Sequence, residues 1–566
     1  MHDISHKEKW GKHMQPDNNS SFTRREFLYR ASVTAVAASA MPSLLVSCGD
    51  RDTEYDTIIK GGTVYDGTNA KPYVADIGIK DERITAIGNL DGSAKRVIDA
   101  GGKVVAPGFI DVHTHCDLTF KRTGFKRHMS RLMPSWKGNY NYLYQGVSTV
   151  VTGNCGYGFT DTHRWLSMVD SVGFGTNVAH LVPHGMIREE LFGSNQPGAL
   201  TREQLEKMKS RVNEELEKGA IGMSTGLEYA PGLLTNTAEL AALAREVARK
   251  GGIYTSHIRN ESGRSDKTGR HGVLKSLDEA IYIGNEAAVP VEVSHLKIAA
   301  PMENVRASML LEKIDSARRK GLDITADQYP YAAGSTHIAI LLPGELVSSL
   351  GVKEKYRKME GLKEVEKAIM DVFEYLPPEK ILITMFPERE ELEGKTLKES
   401  AEMMGMPPEK AYAEMVSQES APMGVFFAQD MDVVRSIMPA EFVFTASDGW
   451  TVPKDMTHPH PRCYGTFPRK LGRFVREEKV LQLQQAILSM TSRPAQKFGI
   501  RDRGVLAKDK YADIVVIDPD KIIDRATYTQ PHMYATGVEY LLVNGKISIE
   551  EGTATGHRGG ISLKRA

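Results

Sequence analysis

The sequence has no net charge, few cysteines and no internal repeat or low-complexity linker. Its 566 residues include 72 Lys and Arg against 72 Asp and Glu. This balance argues against a nucleic-acid scaffold and gives no reason to expect an acidic partner. The four cysteines predict no disulfide framework, because Cys48 belongs to a segment of export character and only three thiols remain. What is left is ordinary globular composition, 41% hydrophobic and 25% charged, enough for one large domain or two to three smaller ones.

The first 47 residues have the form of an export signal. Thr23-Arg-Arg-Glu-Phe-Leu is a twin-arginine motif, and an uncharged stretch over residues 31–47 follows it. That stretch ends in Leu45-Val-Ser-Cys, which resembles a lipoprotein cleavage box. We therefore expect residues 1–47 to be removed and Cys48 to be lipidated. The exported protein would then lie on the periplasmic side, held at a membrane only by its lipid; an uncleaved membrane anchor is the alternative.

Two histidines follow an apolar run in Phe109-Ile-Asp-Val-His-Thr-His. On a β-strand, alternate side chains point to the same face, so His113 and His115 would converge on one metal ion. Such a pair is weak evidence by itself. It gains weight because later apolar runs also end in a residue that can bind a metal.

Eight apolar runs of β character alternate with amphipathic helices such as those over residues 202–218, 237–250 and 304–320. The runs are Phe109–His115, Val147–Cys155, Asn177–His184, Ala220–Gly226, Gly252–His257, Val289–His295, Leu322–Tyr329 and Phe442–Asp448. Eight strands alternating with helices predict a (β/α)8 TIM-like barrel, in which the carboxyl ends of the strands form the active-site face. Nearly every polar candidate residue lies at such an end.

The remaining segments predict two additions to the barrel at residues 107–499. Strand-and-turn patterns at residues 55–106 and 500–566 predict a small β-sandwich domain built from both chain ends, with 48–54 as a linker. Residues 337–441 are too many for one crossover and contain helical patterns near 363–375, 397–404 and 408–419. We interpret them as an inserted lid subdomain.

Six residues at the run ends form the candidate site: His113, His115, Cys155, His257, His295 and Asp448. Imidazole and thiolate ligands suit zinc. A carboxylate beside a metal-activated water can serve as general base and then as general acid. Each residue alone has an ordinary structural explanation, but six of them at strand ends indicate a metal site.

The chain also resembles the D-aminoacylase branch of the amidohydrolase superfamily. The matching motifs are Pro107-Gly-Phe-Ile-Asp-Val-His-Thr-His, Gly153-Asn-Cys-Gly, Ser224-Thr-Gly-Leu-Glu-Tyr-Ala-Pro-Gly, Ser256-His-Ile-Arg-Asn-Glu, Ser294-His-Leu-Lys, Ala326-Asp-Gln-Tyr-Pro-Tyr, Ala446-Ser-Asp-Gly and His458-Pro-His-Pro-Arg. The likeness runs from about residue 55 to 560. It implies zinc-dependent hydrolysis of small N-acyl-D-amino acids to a carboxylate and a D-amino acid.

The resemblance also implies a role for each candidate. Cys155, His257 and His295 would hold one tightly bound zinc; His113 and His115, with Cys155 shared, would form a second, weaker site. Asp448 would be the catalytic acid and base. The implied binders of the substrate carboxylate are Lys297, Tyr329, Ser335 and Arg462, and Tyr229 would lie near the scissile carbonyl.

The sequence departs from the family pattern in two places. The gap between His115 and Cys155 is long and basic over residues 121–137, either a cationic wall for acidic side chains or, as we prefer, a solvated face. Three extra residues also separate Asp448 from Arg462, which affects how far Arg462 can reach.

Two other functions remain compatible with these motifs. A cyclic amidohydrolase of the dihydroorotase or hydantoinase kind would share the barrel and the histidine pair. The fourth run, Ile221-Gly-Met-Ser-Thr-Gly, lacks the lysine that many such relatives use to bridge two metals, which counts against it. The other alternative is a lipoprotein that binds a ligand without catalysis, which the complete set of candidate ligands and Asp448 disfavour.

Overall fold

The computed structural model describes residues 53–121, 133–193, 198–264, 272–300, 305–343, 346, 359–418, 421–453 and 457–565. The predicted export signal, Cys48 and most of the basic insertion, residues 122–132, lie outside the described residues. Within the described part of the chain, no helix is both long and apolar enough to cross a membrane.

All eight predicted runs contribute strands to one parallel sheet. The strands are β6 (Phe109–Asp111), β7 (Val147–Thr152), β8 (Asn177–Pro183), β9 (Gly222–Gly226), β10 (Ile253–His257), β11 (Val291–Val293), β12 (Ile324–Gln328) and β16 (Val443–Thr445). They pair in chain order from β6 to β12, and β12 pairs with β16. Every residue in these strands is buried, because the sheet curves around its own core and helices cover its outside.

The first and last barrel strands meet just beyond their carboxyl ends. Thr114 and Gly449 form a parallel bridge, the amide of Asp448 donates to the carbonyl of His113 at 2.9 Å, and that of His115 donates to the carbonyl of Gly449 at 2.7 Å. The expectation that the histidine pair lies within the strand is wrong, because β6 ends at Asp111. Residues 113–115 instead bond to Val151 of β7 and to the segment that follows β16.

Helices surround the barrel. Their bounds are Thr162–Val172, His184–Phe192, Arg202–Glu217, Thr237–Arg249, Gly272–Ala287, Ala307–Arg319, Met431–Ile437, Arg462–Arg469, Leu483–Leu488 and Ser492–Lys497, with short helices at Leu118–Lys121, Pro134–Lys137 and Tyr140–Leu143 and a π-helix at Lys470–Glu477. The local sequence determines where several of these helices begin or end. Thr201 and Gln204 form a capping box that starts the helix Arg202–Glu217, so its predicted beginning is correct.

A nine-stranded sheet is built from both ends of the chain. Its strands are β1 (Tyr55–Val64), β2 (Tyr73–Lys80), β3 (Arg83–Gly88), β4 (Ala94–Asp99), β5 (Val104–Pro107), β17 (Ile514–Ile517), β18 (Val538–Val543), β19 (Lys546–Glu550) and β20 (Thr553–Ala554). Strand β17 pairs antiparallel with β5, which joins the two ends. The predicted fold class, a barrel with a separate β unit, is therefore confirmed.

The segment between β12 and β16 has a small core of its own. Three antiparallel strands, β13 (Gly334–His337), β14 (Ile381–Met385) and β15 (Met423–Phe426), form its sheet. Helices Met359–Phe373, Leu397–Met404 and Pro408–Ser417 pack on it around Ile369, Phe386 and Tyr412. Strand β13 carries Ser335, so this sheet forms one wall of the cleft over the carboxyl ends of the barrel strands.

Candidate active site

Three of the six candidate residues adopt a left-handed backbone conformation just after their strands. The φ angles are 53° at Cys155, 37° at His295 and 49° at Asp448. Positive φ is uncommon for residues other than glycine and tends to cluster at functional sites, since packing must hold such a conformation in place. The chain therefore turns abruptly where these side chains point toward the barrel axis.

Cys155 lies between two histidines. Its Sγ is 3.2 Å from His113 Nε2 and 3.6 Å from His295 Nε2. The donor atoms of these three buried residues lie within 4.8 Å of one another, as ligands of one metal ion would. The other nitrogen of His113, Nδ1, is 3.1 Å from Asp327 Oδ2, so a carboxylate orients that ring.

Asp448 completes a second group with the histidine pair. Its Oδ1 is 3.1 Å from His115 Nε2 and 3.5 Å from His113 Nε2. His113 belongs to both groups, so the two candidate sites adjoin each other.

His257 lies on the far side of His295, with its ring centroid 4.5 Å from that of His295. It belongs to a third group, with Glu261 and His295. The structure thus brings the predicted ligands together but groups Cys155 more closely with His113 and His295 than with His257. How these residues divide between a tight and a weak site stays a prediction.

Two glutamates at the site were missed by the sequence reasoning. Glu261 Oε1 is 2.9 Å from His295 Nδ1, and Glu228 Oε2 is 3.2 Å from His257 Nε2. Both lie inside motifs that pointed to the family, and Glu261 follows His257 by four residues. A carboxylate so close in sequence to a candidate histidine ligand is a sequence signal, because metal-binding histidines commonly have a carboxylate partner.

The charges of these groups depend on one another. Burial favours neutral imidazole, but Glu261, Cys155 and Glu228 raise the pKa of His257 to about 10. Burial likewise opposes ionisation of Cys155, yet His113 above all holds the pKa of that thiol well below its usual range. The pKa of Asp448 is also well below its usual range, because Arg462 and His113 outweigh the effect of burial.

These observations fit a divalent metal ion. Thiolate, carboxylate and imidazole groups converge in a buried space, where a bound cation would neutralise the anionic groups in place of the protons that they hold on the histidines. His115 Nδ1 and His257 Nδ1 are buried without a hydrogen-bond partner. The sulfur and nitrogen donors are those that zinc prefers. Cys116 is buried as well but joins none of the three groups.

All five residues predicted to bind substrate line one cleft, here called the Lys297 cleft. It contains about 850 Å³ of space, which includes open solvent at its mouth. The predicted residues Tyr229, Lys297, Tyr329, Ser335 and Arg462 line it beside His257, His295 and Asp448.

Both cations of the Lys297 cleft already have anionic neighbours. Lys297 Nζ is 2.5 Å from Glu261 Oε1, and Arg462 Nη1 is 2.9 Å from Asp448 Oδ2. Arg462 also stacks 4.8 Å above the ring of Tyr329. The three extra residues before Arg462 therefore do not prevent it from reaching the cleft. Arg462 Nε is buried without a hydrogen-bond partner and remains available to an acceptor on a ligand.

Tyr229 is placed beside His257, with ring centroids 4.7 Å apart. Burial, reinforced by the charges of Cys155 and Glu228, raises the pKa of its phenol well above the ordinary value. The phenol therefore stays protonated and can donate a hydrogen bond into the cleft.

Comparison with known proteins shows the family of this chain. The amidohydrolase family profile matches residues 96–334 and 414–549, and the gap between the two matches falls in the inserted segment. An N-acyl-D-glutamate deacylase from Alcaligenes xylosoxydans xylosoxydans is 35% identical over 90% of this chain and 96% of its own length. A D-aminoacylase from the same organism is 32% identical over 90% of this chain and 98% of its own.

A solved structure shows the same fold. It is an N-acyl-D-glutamate deacylase from Bordetella bronchiseptica, complexed with zinc and a phosphonate inhibitor that mimics the tetrahedral intermediate. It superposes with a TM-score of 0.76 at 33% identity and covers 90% of this chain and all of its own. The chain belongs to the amidohydrolase family, in the D-aminoacylase branch that its motifs predicted.

Proposed function

We propose that this protein is a zinc-dependent deacylase that hydrolyses the amide bond of N-acyl-D-amino acids. The observation that carries the proposal is the Lys297 cleft, which holds candidate metal ligands, the Asp448 carboxylate and two cations side by side. Such a cleft can hold an anionic amide with its carbonyl at the metal-binding residues. The similarity to deacylases of N-acyl-D-amino acids supports the same substrate class.

The substrate carboxylate would bind at Arg462 and Lys297. A guanidinium can pair with a carboxylate through two hydrogen bonds, and an ammonium adds a further donor. Ser335 and Tyr329 line the same wall and supply hydroxyl groups. Fixing the carboxylate in this way places the amide at a set distance from Asp448 and lowers the entropic part of the barrier.

Cys155, His257 and His295 would hold the tightly bound zinc, and His113 and His115 the weaker one. When bound, zinc lowers the pKa of water toward neutrality and polarises the acyl carbonyl. Asp448 takes the proton from the attacking water and later gives it to the leaving amine. Tyr229 donates a hydrogen bond to the oxyanion of the tetrahedral intermediate.

The test is a panel of N-acetyl-D-amino and N-acetyl-L-amino acids, with the released amine detected by ninhydrin. Purified protein with zinc should release amine from D-enantiomers and lose that activity after chelation. The L-enantiomers are the matched control for stereochemistry.

Two other results would overturn the proposal. Turnover of hydantoins or dihydroorotate without turnover of linear amides would identify a cyclic amidohydrolase. Bound zinc with no turnover of either class would identify a binding protein.

A further inference from the structure

A second cavity lies near the candidate site; it shares Ser335 and Arg462 with the Lys297 cleft but is not lined by Lys297. We call it the Trp450 cavity; it contains about 590 Å³ of space, which includes open solvent at its mouth. Its lining residues are Thr119, Trp136, Ser335, Thr384, Met385, Met423, Trp450, Thr451, Val452, Pro453, Thr457, Pro459, His460, Arg462 and Cys463. Trp450 joins it to the site, since its ring centroid lies 5.6 Å from that of His115.

A third, central cavity shares lining residues with both of these spaces. It is lined by His115, Cys155, His295 and Asp448, which are the groups expected at the reacting amide. It shares Tyr229 and Asp448 with the Lys297 cleft, and Met423 and Trp450 with the Trp450 cavity. A bound amide therefore has open space on each side of its carbonyl group, in the Lys297 cleft and in the Trp450 cavity.

Lys297 decides which half of the substrate occupies which space, because Arg462 and Ser335 line both of them. Lys297 and Tyr329 line the Lys297 cleft and not the Trp450 cavity. An amino acid held there by its carboxylate directs its acyl group across Asp448, toward His115 and Trp450.

The walls of the Trp450 cavity are mostly apolar. Two tryptophans, two methionines, two prolines and a valine contribute to them. Among the described residues that line it, His460 and Arg462 are the cationic or titratable nitrogen groups. His460 donates to the carbonyl of Ala333 at 3.0 Å and accepts from the amide of Arg462 at 2.9 Å, and Arg462 pairs with Asp448. His460 has a partner at each ring nitrogen, and Arg462 keeps one unpartnered nitrogen, Nε. The remaining polar lining groups are threonine and serine hydroxyls, so apolar side chains supply most of the surface that faces the space.

We propose that the Trp450 cavity binds the acyl group, and that the preferred substrates are N-acyl-D-amino acids with a bulky apolar acyl group, a medium-chain fatty acyl, rather than acetyl. The inference rests on the function proposed above. An acetyl group leaves most of this apolar surface in contact with water, whereas a longer chain removes it from water.

The expected size of the preference follows from hydrophobic transfer. Each methylene that enters the cavity should raise kcat/KM about fourfold, which corresponds to about 0.8 kcal/mol. The increase should stop once the chain reaches the mouth.

The experiment is a chain-length series on one D-amino acid: acetyl, butanoyl, hexanoyl and octanoyl, with kcat/KM measured for each on the zinc-loaded full protein. We expect kcat/KM to rise at least tenfold from acetyl to hexanoyl. Equal or falling kcat/KM along the series would overturn the acyl-cavity inference while leaving the deacylase function intact. Turnover of none of the series, and of no other N-acyl-D-amino acid, would overturn the proposed function itself.

Substitutions in the wall of the Trp450 cavity test whether the chain-length preference arises there. Val452→Trp should fill the cavity from a half-buried position and reduce the hexanoyl-to-acetyl ratio of kcat/KM at least tenfold. Met385→Trp fills it from the inserted sheet and should do the same, so the test survives if one variant fails to fold. Val97→Trp is the matched control, because Val97 is 59% exposed on β4, and the ratio should not change. An unchanged ratio in both folded cavity variants would show that the acyl group lies elsewhere.

Discussion

Arg462 and Asp448 form a buried ion pair, with Nη1 2.9 Å from Oδ2. The sequence motifs assign them separate roles, one in binding the substrate carboxylate and one in proton transfer. The structure shows that the two groups touch, so a change at one alters the surroundings of the other.

Replacing Asp448 by Asn removes the proposed base and keeps its size. We expect kcat to fall by about 10² to 10⁴, the usual contribution of general acid and base catalysis. KM should not rise, because Arg462 loses a competing anion and stays available to the substrate. The measurement is kcat, KM and zinc content on the best N-acyl-D-amino acid. Near-normal kcat would make Asp448 a structural residue, and loss of zinc would make it a ligand.

Cys155 is expected to be required for tight zinc binding. Cys155→Ala should lose the tightly bound ion, because Sγ lies between His113 and His295. Cys116→Ala is the matched control, since Cys116 is equally buried but belongs to no ligand group. Elemental analysis of both purified variants decides the matter. Full zinc content in Cys155→Ala would exclude the thiolate as a ligand.

Glu261 should position His295. Its carboxylate lies 2.9 Å from His295 Nδ1 and pairs with Lys297, whose Nζ lies 2.8 Å from the same nitrogen, so the two charged groups hold the ring with Nε2 toward Cys155. Glu261→Gln should weaken zinc binding about 10- to 100-fold, as loss of such partners does elsewhere. Competition with a chelator measures this directly. Glu279→Gln is the control, because the Glu279 carboxylate pairs with Arg259 and not with a candidate ligand. This variant should keep the zinc affinity of the native protein. Equal affinities in the two variants would contradict the positioning role.

Lys470 should make the fold less stable near neutral pH than in base. Its ammonium is 2% exposed and bonds to the hydroxyls of Thr445 and Ser489. Burial, with a smaller contribution from Arg493, lowers its pKa from 10.5 to about 7. As pH falls from 10.5 to 7 the unfolded chain gains a proton that the folded chain does not, so stability decreases over that window and is level below it.

The variant Lys470→Met removes this titration. The pKa difference sets an upper limit of roughly 4 kcal/mol on the gain at pH 7. Urea unfolding midpoints at pH 7 and pH 10 measure it. The unfolding midpoint of the variant should lie above that of the native protein at pH 7, and the difference between the two midpoints should be smaller at pH 10. A midpoint difference that does not depend on pH would show that Lys470 is not neutralised in the fold.

Lipidation at Cys48 remains a prediction from the export motif. Cys48→Ser should release the protein from membranes or block its processing, because the acyl chains attach to that thiol. Fractionation of cells with N-terminal sequencing is the measurement. A variant that stays membrane-bound with a normally processed N-terminus would contradict the lipid anchor.

Much of the architecture was predictable from local sequence. Apolar runs of strand length and the helices between them are set by neighbouring residues, so all eight barrel strands were found. Candidate ligands could be named because the carboxyl ends of barrel strands share one face. The pairing of the chain ends followed from their similar strand-and-turn patterns.

Other features were decided by tertiary structure. Strand β6 stops at Asp111, and the residues after it bond both to Val151 of β7 and to Asp448 and Gly449 beyond β16, contacts that form only in the folded chain. The contact of Glu261 with His295 and the ion pair of Arg462 with Asp448 depend on where separate loops meet. The Trp450 cavity likewise forms between the loop after β16 and the inserted sheet. The periodicity of a sequence predicts which face of a strand or helix a side chain occupies. The distance between side chains on separate elements is set only when the whole chain packs.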